Sequence, residues 1–94
     1  MAIEAVPEVQ HDDGRVRVTK WNFAPGAETG WHRHEYDYIV VPVTTGALTI
    51  VSAEGETKSE LTIGQSYARK VGVEHNVING NDFPFAFVEI EFLT

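Results

Sequence analysis

The chain has 94 residues and 10.5 kDa, with fourteen acidic against seven basic side chains and a formal net charge of −7. That size suits one domain with no room for a second core. The basic residues Arg15, Arg17, Lys20, Arg33, Lys58, Arg69 and Lys70 form no dense stripe, so neither nucleic acid nor an anionic membrane surface is expected as a partner. No cysteine is present, which excludes disulfides, zinc–thiolate sites and thiol nucleophiles and fits a reducing compartment. No apolar run approaches the ~20 residues of a membrane helix, and the first residues lack a basic-then-apolar leader, so the expected location is the cytoplasm. Folding of so short a chain buries only about 60–65% of its unfolded surface, which makes an isolated monomer marginal.

In chain order, residues 1–13 read as a polar arm or an added strand. They carry His11 beside Asp12, Asp13 and Gly14, where an imidazole is expected to be solvated. "RVRVTKWNF" then alternates around Val16 and Val18 and predicts a strand. After the turn signal Pro25-Gly26 comes "TGWHRHEYDYIVV", Thr29 to Val41, and then Pro42, which inside an apolar run predicts a bulge or an edge. Further turn signals follow at Thr45-Gly46, Glu54-Gly55-Glu56, Gly64, Gly72 and Asn79-Gly80-Asn81. The chain closes on "PFAFVEIEFL", where Phe85, Phe87, Glu89 and Glu91 alternate with Ala86, Val88, Ile90 and Phe92. The dominant period is two and no segment makes an amphipathic helix. Eight or nine short strands with regular turns predict an all-β sandwich or barrel.

Strand parity also sketches a site. Residues i and i+2 point to one face about 6.5–7 Å apart, so His32 and His34 can aim two imidazoles at one point. Trp31 and Arg33 then point away from that face. If His75 points inward, so do Val77 and Asn79, while Asn76 and Ile78 point outward. Tyr67 and Arg69 share a face; turned inward, Arg69 could pair with a substrate carboxylate, although an outward, solvated arginine is the simpler expectation. Glu89 and Glu91 form a pair by parity, which an exposed strand face explains better than acid–base chemistry. Trp21, Phe23, Phe83, Phe85 and Phe87 are expected in the core or at an interface. No nucleophile elbow, phosphate-cradling loop or dinucleotide-binding glycine loop is present.

Two stretches together resemble the signature motifs of the cupin superfamily. The first family motif, G-x5-H-x-H-x3-4-E-x6-G, falls on residues 26–46: Gly26, His32 and His34 stand at the family offsets, and Gly46 closes it. The second, G-x5-P-x-G-x2-H-x3-N, falls on residues 64–79, with Gly64, Gly72, His75 and Asn79 in place and seventeen residues between the motifs. The resemblance implies a cupin-type double-stranded β-helix, or jelly-roll, barrel occupying residues 1–94 as a single domain. Two departures stand out. The family's glutamate ligand falls at Tyr38 or Ile39, depending on the end of the motif from which it is counted, and the motif's proline is Lys70. Glu35 or Asp37 could substitute for the glutamate, but both sit where the chain should turn.

The implied site is therefore His32, His34 and His75, holding one divalent transition metal per chain. Iron, nickel, zinc, manganese and copper all accept imidazole and are not distinguished by the sequence. Three-histidine centres in the family occur in thiol dioxygenases and diketone-cleaving enzymes. A small anionic or keto/enol metabolite is the expected ligand, with Tyr38, Asn79, Arg69 and Tyr67 as candidate substrate contacts and Tyr38 as the candidate catalytic residue. A metal or metabolite sensor module and a metal-free structural cupin stand beside the oxygenase or isomerase reading. A homodimer is expected, joined through edge strands placed near "RVRVTKWNF" and "PFAFVEIEFL".

Overall fold

A computed structural model describes residues 3–94; residues 1 and 2 of the N-terminal arm lie outside the described residues. Eleven strands and no helix make up the described chain, so no helix is long and apolar enough to cross a membrane. Strands β1 (Ile3–Glu4), β2 (Val6–Asp12), β3 (Val16–Phe23), β4 (Ala27–Glu28), β5 (His32–Arg33) and β6 (Tyr38–Pro42) form the first half. β7 (Gly46–Ser52), β8 (Gly55–Leu61), β9 (Tyr67–Arg69), β10 (Glu74–Ile78) and β11 (Phe85–Phe92) follow. They assemble into two facing sheets, one in the order β1-β4-β10-β7-β8 with β5 also paired to β10, the other β2-β3-β11-β6-β9. This is the jelly roll expected from the turn spacing.

The core runs from one end of the sandwich to the wall of an open cavity. Phe23, Phe85, Phe87, Leu48, Leu61 and Val77 are buried there, and the rings of Phe23 and Phe87 meet at 5.5 Å. Gly46 closes this end because a side chain has no room: an added Cβ would lie 3.1 Å from both Phe83 and Phe85 ring carbons. Pro42 marks neither a bulge nor a sheet edge. It lies at the end of β6 beyond the β9 pairing, which stops at Val40, so its missing N–H breaks no ladder on that side.

Asn79, fully buried, is the clamp of the closed end. Its Nδ2 donates to the carbonyls of Phe23, Ala24 and Phe83 at 3.3, 3.3 and 2.9 Å, and its Oδ1 accepts from the backbone and side chain of Asn81 at 3.0 and 2.8 Å. The backbone of the same residue exchanges bonds with Ala27 and Gly26. Asn79→Ala strands buried acceptors and donors together, and should cost about 3 kcal/mol in urea unfolding with an unchanged slope. A loss below about 1 kcal/mol would show that the clamp is dispensable.

Long-range pairing places the sheet edges where local pattern did not. β3 and β11 are interior strands, paired over eight residues, and the edge belongs to β2, whose seven residues are all exposed. The N-terminal arm is thus an added strand, with a bulge between Val9 and His11. His11 there is exposed and sits 3.2 Å from the Asp13 carboxylate, far from the other histidines in sequence and sheet position.

Candidate metal centre

The two sheets diverge away from Asn79 and enclose an open cavity of about 1290 Å³, lined by both inner faces. Three imidazoles converge on its wall. β5 and β10 pair His32 directly with His75. His34 lies just past β5, where its N–H donates to the Val73 carbonyl and its carbonyl accepts from Gly72 N–H, each at 2.8 Å. Gly72 makes this contact with φ of +98°, a left-handed backbone that a side chain would strain.

The Nε2 of His34 lies 3.0 Å from that of His32 and 3.1 Å from that of His75. These separations carry geometric information. With metal–nitrogen bonds of about 2.1 Å, ligands at right angles stand about 3.0 Å apart and tetrahedral ones about 3.4 Å. The two observed distances fit right-angled ligand pairs better than tetrahedral ones. The donor set also fits. His32 Nδ1 lies 2.9 Å from the Gly30 carbonyl, which can only accept, so the proton sits on Nδ1 and the Nε2 lone pair faces the cluster.

The local electrostatics hold the His34 and His75 rings in the neutral form. Burial pushes His34 down to about 3, assisted by the neighbouring His32 and His75 and by Arg69. Burial, then His32 and Arg69, pushes His75 down to about 4. Both therefore stay neutral and ready to ligate at physiological pH.

A polar chain behind the cluster holds His32. Asn76 Oδ1 accepts from Gly30 N–H at 2.9 Å, and its Nδ2 donates to Glu28 at 3.0 Å. Parity places Asn76 away from the histidine face, correctly, yet from there it fixes the Thr29–Gly30 turn on which His32 rests. Sequence reading missed this positioning role because no local signal links Asn76 to a turn 46 residues earlier.

The remaining candidates separate clearly. Tyr38 is 2% exposed and its ring stacks on His34 with centroids 3.9 Å apart, at the cavity wall; burial raises its phenol. Ile39 faces the other side of the sheet, in a small recess with Ala68 and Phe92. Arg69 and Tyr67 both line the open cavity, so Arg69 is solvated, as expected from sequence, but on the cavity side: it pairs with Tyr38 of β6 and its charge reaches His34 and His75. Asn79 is corrected in the opposite sense, because the structural clamp just described lies outside the cavity lining. Among the described residues the metal-competent group comprises the three histidines without a carboxylate. Asp37 accepts from Val71 N–H at 2.8 Å, and Glu35 is an exposed rim residue.

Glu89 and Glu91 require the largest correction. They do not occupy an exposed face: both line the cavity, on the same inner face as Phe85 and Phe87. Arg17 binds Glu91 through two bonds, Nε to Oε1 at 2.9 Å and Nη2 to Oε2 at 3.2 Å. Glu89 is 8% exposed, and burial, with the adjacent Glu91, raises its carboxyl to about 7 against a smaller opposing effect of Arg17. Trp21 and Phe87 also reach the cavity, so the aromatics divide between core and pocket wall.

Comparison with known proteins completes the picture. The family profile described as "Cupin domain" matches residues 19–91. A curated relative from Pseudomonas aeruginosa, the "Beta-alanine degradation protein BauB", is 56% identical over 88 residues, covering 94% of this chain and 93% of its own. A crystal structure of a cupin domain from Bordetella pertussis is 58% identical, with a TM-score of 0.96 over 98% of this chain and 96% of that one. A double-stranded β-helix protein from Klebsiella pneumoniae, 23% identical, superposes with a TM-score of 0.76 over 95% of this chain and 76% of that one, a likeness of fold.

Proposed function

We propose, from the premise that this chain belongs to the cupin domain family, that His32, His34 and His75 hold one divalent transition metal and that the cavity beside it receives a small carboxylate or keto/enol metabolite. The observation that carries this is the convergence of three imidazole nitrogens in an open cavity with Arg69 at its wall. When bound, the metal supplies Lewis-acid polarisation of a carboxylate or enolate oxygen and, if redox-active, oxygen chemistry. The chain's own residues orient the ligand: Arg69 offers a charge partner, Tyr67 a phenol, and Tyr38 fixes the plane of His34 by stacking.

The name of the Pseudomonas relative, a β-alanine degradation protein, supports three-carbon acids related to β-alanine as the ligand class. That amino acid carries nitrogen on the carbon β to its carboxylate. Transamination, which passes the amino group to a 2-oxo acid and takes that acid's oxo oxygen in exchange, leaves a 3-oxo acid, which exchanges with its enol. An oxygenase- or isomerase-like role on a three-carbon acid of this group, amino or oxo, is the reading supported best. Elemental analysis of protein purified without an affinity tag or added metal, beside the His32→Ala/His34→Ala/His75→Ala variant, tests the centre. Metal in the first and none in the second supports it; equal content in both removes it. Oxygen uptake by the iron(II) form on adding three-carbon acids then separates an oxygenase from a binding module.

The protein also acts as a homodimer, and in the cytoplasm, where a cysteine-free chain is at home. Support for the dimer comes from β2, an edge strand with Val6 and Val9 each 60% exposed and an unpaired row of backbone groups. Light scattering at micromolar concentration should give about twice the 10.5 kDa chain mass. A mass of one chain would leave this apolar edge without a partner and overturn the dimer.

A further inference from the structure

The inner face of the sheet β2-β3-β11-β6-β9 is ordered in rows across its strands. One row runs Arg17, Glu91, Tyr38, Arg69; the next runs Thr19, Glu89, Val40, Tyr67; the third holds Trp21, Phe87 and Pro42. Successive rows are about 7 Å apart along the strands. The first row is electrically closed at its β3 end, because Arg17 is taken up by two bonds to Glu91. At its β6 end it meets the metal cluster, through Tyr38 stacked on His34.

Glu89 stands apart in the second row. It is buried to 8% exposure, lines the cavity, and makes no hydrogen bond or ion pair with any described residue. Thr19 and Val40 flank it in register and offer no cation. Its charged neighbours do not complete it either. Glu91 repels it, Arg17 is committed, and the charge of Arg69 is felt by Tyr38, Tyr67 and the histidines. Its oxygens open on the cavity, because no side-chain oxygen among the described residues is both sealed and unpartnered; partial desolvation still costs the charged form, which holds its proton up to about pH 7. A cation brought by a ligand would remove that cost.

We propose that Glu89 is the second pole of the ligand site, binding the ammonium group of a short ω-amino carboxylate whose acid end sits at the three imidazoles one row away. The inference rests on the metal-centre reading above and adds the ligand's class: a zwitterion with separated charges, instead of a simple anion. The wall beside Glu89 suits a short methylene chain, because Val40, next to it in the second row and one row from Tyr38, is apolar. Thr19 and Tyr67 supply hydroxyls in the same row that can accept the ammonium's remaining protons.

The test uses the cobalt(II)-loaded protein at pH 8, titrated with 3-aminopropanoate and, separately, with propanoate, followed by visible absorption. Both carry the same carboxylate and differ in the ammonium. The wild type should bind the amino acid at least tenfold more tightly, and Glu89→Gln, which keeps the shape and removes the charge, should bind the two alike. Equal binding in the wild type overturns the role of Glu89 and leaves the metal centre standing. A preference that survives in Glu89→Gln assigns the ammonium elsewhere and also overturns it. A cobalt spectrum that neither compound changes overturns the metal–carboxylate reading itself, and this inference with it.

Discussion

His75→Ala is expected to leave a folded protein that no longer retains metal. The three Nε2 atoms are the cluster's whole donor set among the described residues, with no carboxylate to replace a lost imidazole. Two remaining nitrogens cannot compete with water and buffer, so affinity should fall by well over the 10–100-fold that loss of a supporting residue costs. His32→Ala and His34→Ala should do the same, whereas His11→Ala should retain full metal, because His11 lies on the exposed edge strand beside Asp13. The fold should survive, since Phe23, Leu61 and Phe85 are buried away from the cavity and the removed side chains line it.

Proton competition sharpens the same prediction. Free imidazole takes a proton near pH 6.5, but burial lowers His34 to about 3 and His75 to about 4. Protons therefore compete for these two nitrogens only well below 6.5, and metal release on acidification should have its midpoint under that value. The same shifts act on the metal-free fold. Between the lowered folded values and 6.5 the unfolded chain binds more protons at these histidines, so their contribution to stability falls as pH falls through that window. Glu89 works in the opposite sense: its carboxyl, raised to about 7, binds a proton in the folded state that the unfolded chain does not hold until nearer 4.5. Two histidines outweigh one glutamate, so the melting temperature of metal-free protein should decline on acidification from pH 6.5. Retention of metal by His75→Ala, or its loss in His11→Ala, would show that the ion sits elsewhere.

What the sequence revealed and what it concealed follow from the range of each signal. The period of two, the turn glycines and the H-x-H spacing are local, and they gave the strands and the convergence of His32 with His34. His75 joined them through its offset from Gly64 and Gly72, a spacing set by the turns that return β10 to β5. Glu89 was misplaced although its parity was right. "FAFVEIEF" sets Glu89 and Glu91 on the same face as Phe85 and Phe87, but polarity was allowed to turn that face outward. In an open barrel one face of a strand passes from core to cavity without leaving the interior, so aromatic and acidic residues share it. Asn79 shows the converse: parity turned it inward with His75, and the closing of the sandwich at that end made it a clamp in place of a ligand contact. Sheet edges were beyond reach because they depend on pairings such as β2 with β3 and β11 with β6, which no local pattern encodes.

A centre without a carboxylate ligand would keep the full charge of its metal, and of the two candidate positions for the missing glutamate Tyr38 is the one beside the histidines. Tyr38 lies against His34 at the cavity wall, whereas Ile39 turns to the opposite face, as a one-residue step along a strand requires. Tyr38→Glu should therefore add a fourth ligand. Its carboxylate would tighten metal binding by at least tenfold and cancel one unit of the metal's charge. By occupying an open position and lowering that charge, it would also weaken azide or acetate binding by about tenfold. Loss of the stacked ring should cost about 2–4 kcal/mol in the metal-free protein, and metal should recover part of it. Ile39→Glu places its carboxylate in the recess beside Ala68 and Phe92, so neither metal nor anion affinity should change, and only stability should fall. Azide titrations of the two cobalt(II)-loaded variants against the wild type read both quantities. Equal azide affinity in Tyr38→Glu and the wild type would mean that the imidazole cluster does not present open metal positions to the cavity, and the binding of small anions would then need another site.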